Sequence, residues 1–177
     1  MTAGGEHWVF GYGSLMWRPG FPHLAAEPAL IHGHHRALCI FSHIYRGTPE
    51  KPGLVMGLDH GGSCHGMAFR VDPASWEATV AYLREREQVM SVYIEVTRPV
   101  RLLRQGHRAV LALTYLVDTA HPQYAGDLSE MDTLRLVRQG SGQTGSCRDY
   151  VLATRDHLTA IGIHDARLEK LAAALQG

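Results

Sequence analysis

The sequence predicts an α+β fold, a small mixed β-barrel or strongly curved sheet of about six strands with helices around it. Three observations carry that expectation. From His7 to Val117 the chain is dominated by β-branched and aromatic runs separated by glycine turns. After Pro122 the texture changes to helix, and strands first with helices last is the α+β arrangement. The 177 residues are close to one domain at roughly 150 residues each, so residues 1–177 are read as a single domain. A domain of this size builds a core without disulfide or metal staples.

Each element has its own signal. Trp8-Val9-Phe10 is a short apolar strand ending in the turn Gly11-Tyr12-Gly13-Ser14. An extended pattern covers about 30–45, and strands at about 53–59 and 64–71 flank His60-Gly61-Gly62-Ser63, predicting a hairpin. A helix over about 73–88 is announced by Asp72 as cap, Pro73 at the first helical position, and Val71 opposite Trp76 as a staple. Strands follow at 92–96 and 109–117, then helices at about 127–138, 147–161 and 165–175.

Composition narrows the function classes. With 45% hydrophobic and 19% charged residues the chain has the make-up of a soluble globular protein. Seventeen basic residues balance seventeen acidic ones, so the basic excess of a nucleic-acid binder is missing. Three scattered cysteines, at 39, 64 and 147, with no CxxC, predict neither a disulfide framework nor a zinc site. No window approaches 18 consecutive apolar residues, and the first residues lack the basic-then-apolar order of a signal peptide. The expectation is a cytoplasmic protein with no membrane partner.

One carboxylate stands out. At 100° per residue, Trp76, Val80 and Leu83 form the core-facing stripe of the 73–88 helix, and the next turn of that stripe lands on Glu87. A carboxylate there meets burial and the negative end of the helix dipole, both of which raise its pKa. That is the condition for a general base. Fraying of the helix before position 87, with the side chain in water, remains the alternative. The neighbouring Glu77, Arg84, Glu85 and Arg86 read as solvated or flanking.

The turn Tyr12-Gly13-Ser14-Leu15 is the second candidate. Glycines let the backbone approach a ligand, and successive N–H groups can form an anion-binding nest, although a plain tight turn fits the same residues. A Cβ at Gly13 is expected to crowd this turn. Other motifs fall short. Residues 140–146 have GxxxxG spacing but Ser146 replaces the phosphate-loop lysine, so a helix start capped by Thr144 or Ser146 is read instead. The histidines, densest at 32, 34 and 35, match no metal-ligand spacing, so no metal and no cofactor are expected.

In order along the chain, several segments resemble the ChaC-type γ-glutamylcyclotransferases: Gly11-Tyr12-Gly13-Ser14-Leu15-Met16, Arg46-Gly47-Thr48-Pro49-Glu50-Lys51-Pro52-Gly53, Gly66-Met67-Ala68-Phe69-Arg70, Arg84-Glu85-Arg86-Glu87, and Gly142-Gln143-Thr144-Gly145-Ser146-Cys147-Arg148-Asp149-Tyr150. The resemblance implies that family's fold and the conversion of glutathione to 5-oxoproline and cysteinylglycine. It implies Glu87 as the acid/base residue, backbone donors at Tyr12, Gly13, Ser14 and Leu15 for the γ-glutamyl group, and Tyr150 as a pocket tyrosine. The partner would be a small-molecule substrate, glutathione or another γ-glutamyl compound. A cyclotransferase acting on other γ-glutamyl amines, and a non-catalytic γ-glutamyl-binding module, are the alternative readings.

Overall fold

The structure, a computed structural model, describes residues 5–88 and 91–177; residues 1–4, 89 and 90 lie outside it. Five strands close into a mixed barrel in the order β1-β3-β2-β4-β5. They are β1 (His7–Gly11), β2 (Ala25–Ser42), β3 (Gly53–Val71), β4 (Tyr93–Leu102) and β5 (Arg108–Val117). β1 is antiparallel to β3 and parallel to β5, with Trp8 opposite Ala112 and Val9 opposite Leu113. Closure leaves the barrel no free edge. The fold class expected from the sequence is the one observed.

The predicted hairpin around 60–63 is not formed. β3 runs through that segment as one strand, with Gly61 at φ +94° and Gly62 at φ +70°. Both glycines lie alongside β2: the Gly61 carbonyl is 2.9 Å from His35 Nδ1, and Gly62 faces the His35 Cβ. Left-handed glycines inside a paired strand distort it without reversing the chain, and a sequence pattern cannot separate that from a turn.

The chain divides into two compact units, Met1–Arg36 with Leu58–Asp118, and Ala37–Gly57 with Thr119–Gly177, the boundaries falling within β2, within β3 and just after β5. In the first unit, α1 (Trp76–Glu87) follows a 3-10 turn at Pro73–Ser75. Asp72 caps that turn by accepting from the Ala74 N–H at 2.9 Å. Leu83 of α1 is fully buried in a core with Val9, Leu15, Phe69 and Tyr115, and Trp76 and Val80 pack against it. Of the predicted stripe Leu83 is buried and Trp76 and Val80 are partly buried, and Thr79 is the helix's other buried residue.

In the second unit, α2 (Glu130–Gln139), α3 (Cys147–Ala160) and α4 (Ala166–Gln176) pack on one another. A two-stranded ribbon, β6 (Ser141–Gly142) with β7 (Gly145–Ser146), leads into α3. Ser146 caps α3 by accepting from the Asp149 N–H at 3.0 Å. No helix of the described residues is long and apolar enough to cross a membrane.

Candidate active site

β1 is buried along Trp8, Val9 and Phe10, so the chain leaves the barrel at Gly11 in a fixed place. The turn that follows is anchored from beneath. Arg36, itself buried, donates from Nε to the Tyr12 carbonyl at 2.6 Å and from Nη2 to the His65 carbonyl at 2.7 Å. Ser14–Met16 then form a 3-10 turn in which the Met16 N–H donates to the Gly13 carbonyl at 2.9 Å. Among the described residues no acceptor takes the backbone N–H of Gly13, Ser14 or Leu15. Three successive donors without an internal partner are what an anion-binding nest offers.

α1 does not fray before Glu87. The Gln88 N–H still bonds to the Arg84 carbonyl, and the Glu87 side chain is only 18% exposed. Burial pushes the Glu87 carboxyl above its ordinary value, and the Arg86 guanidinium, 3.5 Å away, pulls weakly the other way. Three further ionisable groups stand near. The Tyr115 hydroxyl donates to Glu95 Oε2 at 3.0 Å, and Arg84 grips the same carboxylate through Nε at 3.0 Å and Nη2 at 2.9 Å. Arg84 therefore holds Glu95 ionised below the usual range, while burial and the Glu95 charge push the Tyr115 phenol up.

Arg86 ties the helix end to the turn. Its guanidinium donates to Ser14 Oγ at 2.9 Å, to the carbonyls of Arg18 at 2.6 Å and Pro19 at 3.1 Å, and to the Tyr82 hydroxyl at 3.1 Å. Glu87 and the Ser14 hydroxyl thus each contact the same cation. Tyr150 belongs to the other unit. There its hydroxyl accepts from the Met56 N–H at 3.0 Å, and Arg46 lies over its ring at 5.3 Å.

A family model described as ChaC-like protein matches residues 7–176. The chain belongs to the ChaC-like family. Its relatives include the Escherichia coli glutathione-specific gamma-glutamylcyclotransferase, 30% identical over 94% of this chain and 71% of that protein. The human glutathione-specific gamma-glutamylcyclotransferase 1 is 31% identical over 94% of this chain and 75% of that one. In structure the chain is similar to a yeast gamma-glutamyl cyclotransferase specific to glutathione, with a TM-score of 0.84, 22% identity and 97% and 96% of the two chains covered.

In this ChaC-like protein the structure brings Tyr12, Gly13, Ser14, Leu15 and Glu87 into one unit, and keeps Tyr150 with the 46–53 loop in the other. Arg36 and Arg86 were not legible as site residues. Arg36 shares strand parity with Leu38 and Ile40, a signal that would have marked it as inward-facing. Arg86 has only the i,i+4 spacing from Tyr82 as a local signal, because its other three acceptors come from 14, 18 and 19, far away in sequence. Among the described residues no group of three or more His, Cys, Asp or Glu is placed to hold a metal ion.

The expectation that a Cβ at Gly13 would crowd the turn is overturned: nothing lies within 4 Å of it, whereas a Cβ at Gly11 would stand 2.9 Å from the Leu15 Cβ. Gly13→Ala should therefore keep the wild-type melting temperature and impair ligand binding only, since its methyl enters open space beside the N–H donors. Gly11→Ala should lower stability, by about 1–3 kcal/mol as overpacking does. Thermal melts of both proteins check the contrast.

Proposed function

We propose that this ChaC-like protein is a glutathione-specific γ-glutamylcyclotransferase in which Glu87 is the general acid/base. The observation that carries the proposal is a largely buried carboxylate with a raised pKa at the C-terminal end of α1, linked through Arg86 to a turn whose Gly13, Ser14 and Leu15 N–H groups have no acceptor among the described residues. The names of the E. coli and human relatives support glutathione as the substrate.

The substrate supplies its own nucleophile. Folding the γ-glutamyl chain brings the α-nitrogen to the γ-carbonyl carbon, and such proximity is worth up to about 7–11 kcal/mol. Glu87 takes a proton from the α-ammonium, the freed amine attacks, and the carbonyl becomes an oxyanion. The bond to the cysteine nitrogen then breaks as that nitrogen is protonated by Glu87. Two protons leave the attacking nitrogen, two arrive on the departing one, and the carboxylate ends as it began. The N–H groups of residues 13–15 would hold the oxyanion or the substrate α-carboxylate. Tyr12 completes that turn, and Tyr150 is carried as a substrate-binding residue on the motif resemblance alone. We read residues 1–177 as one catalytic domain and its location as cytoplasmic; the three buried cysteines, at 39, 64 and 147, agree with a reducing compartment.

The test is incubation of the chain with glutathione and chromatography for 5-oxoproline and cysteinylglycine. Turnover of γ-glutamyl amino acids without turnover of glutathione would redirect the substrate assignment, and binding without turnover would remove the enzyme. The pH dependence has a defined sign. Protonation of Glu87 removes the base, so kcat/KM falls toward acid, and the midpoint of that limb should lie above the ordinary glutamate value of about 4.3. A limb at or below that value would contradict the role.

A further inference from the structure

The last turn of α1 carries two arginines that grip different partners. Arg84 is spent on Glu95, which faces the Tyr115 hydroxyl. Arg86 reaches the opposite way, and its four acceptors belong to the 14–19 segment and to Tyr82 on its own helix. A guanidinium suits this because its five N–H groups lie in one rigid plane and can serve several acceptors at once; a lysine ammonium is a point charge that cannot. The same group stands 3.5 Å from Glu87 Oε1, and its side chain is only 20% exposed. The glycine at 20 belongs to the same arrangement: it sits at φ +75°, and a Cβ there would collide with the Tyr82 hydroxyl. The 18–20 backbone therefore lies directly on α1.

We propose that Arg86 is a positioning residue that clamps the Ser14 turn and the 18–19 backbone onto the Glu87 end of α1, so that the N–H donors of residues 13–15 keep a fixed place relative to the acid/base carboxylate. The proposal rests on the cyclotransferase reading. It separates two contributions of one side chain: its hydrogen bonds fix the turn, and its charge opposes the burial of Glu87. The charged and titratable groups around Glu87 are Arg86 on its own helix and Tyr115 on β5, with Glu95 of β4 and Arg84 behind the phenol.

The experiment uses the full chain with Arg86→Lys, Arg86→Met, Ser14→Ala and the Ser14→Ala/Arg86→Lys double variant. KM and kcat for glutathione are measured across pH, and amide hydrogen exchange is followed over residues 13–18. Arg86→Lys should raise KM about tenfold, the scale of one lost hydrogen bond to a charged group, while the acid limb stays in place. Arg86→Met should raise KM as much and move that limb to higher pH, because the cation opposing burial is gone. Ser14→Ala should add no further loss in the Arg86→Lys background, since the hydroxyl has already lost its donor. Exchange over 13–18 should quicken in both Arg86 variants. Wild-type KM and wild-type exchange in Arg86→Lys and Arg86→Met would overturn the proposal, as would full additivity with Ser14→Ala. If Arg86→Met fails to fold, the Ser14 and Lys cycle decides alone. A wild-type chain without turnover would sink the cyclotransferase reading instead, and the exchange measurement would still decide the clamp.

Discussion

Glu87→Gln is expected to lower kcat for glutathione by roughly 10²–10⁴-fold, the usual contribution of a positioned acid/base, with little change in KM. The amide keeps the size of the carboxyl but accepts no proton, so binding survives and the reaction stalls before attack. The same variant should be more stable than the wild type near neutral pH. Burial raises the Glu87 pKa in the folded chain, so the folded state binds that proton more tightly than the unfolded one. Stability from this group is therefore greatest when the carboxyl is protonated, below the unfolded value, and is lost as pH rises through the folded value. A neutral glutamine escapes the loss, and its advantage should vanish in acid below about pH 4, where Glu87 is protonated in both states. Thermal melts of both proteins at neutral and acid pH, alongside initial rates, check both halves. Undiminished turnover would take Glu87 out of the mechanism, and a lower neutral melting temperature would show that its charge stabilises the fold.

Gly142→Ala should be a strongly damaging small substitution in the second unit. A Cβ at 142 would press on the Ile44 carbonyl and stand 2.6 Å from the Tyr45 carbonyl carbon, and both are backbone atoms that cannot turn aside. The segments are also bonded there, through the Gln143 N–H to the Ile44 carbonyl at 2.8 Å and the Thr144 N–H to the Tyr45 carbonyl at 3.0 Å. Forcing them apart should cost about 1–3 kcal/mol, and a chain of this size loses about 2–4 °C of melting temperature per kcal/mol. Gly5→Ala is the control, since nothing lies within 4 Å of its position. Equal melting temperatures for the two variants would refute the close approach.

This contact also gives physical content to two of the recognised motifs. The glycines of the 46–53 loop and those at 140 and 142 are where backbones touch: a Cβ at Gly140 would meet the Arg46 carbonyl at 2.5 Å and the Gly53 Cα at 2.6 Å. The sequence predicts a helix start at 140–146, capped by Thr144 or Ser146. Ser146 is the cap, and Thr144 instead donates its hydroxyl to the Tyr45 carbonyl at 2.8 Å. That a loop a hundred residues earlier is the reason for the glycine spacing was not readable from either segment alone.

What the sequence determined by itself was local and periodic. Helical spacing from Trp76 through Leu83 placed Glu87 in line with the buried face, and alternation and glycine punctuation marked the strands and the turn after β1. These features depend on chain geometry within a few residues, which is why they could be read. Tertiary structure decided the rest. It ran β3 through the glycines at 61 and 62 instead of folding it back, and it made Arg36 and Arg86, the latter expected as a solvated or flanking charge, the anchors of the candidate site. Side chains that long can reach acceptors in any neighbouring segment, and which segment lies within reach is set by the closure of the barrel and the docking of α1 upon it.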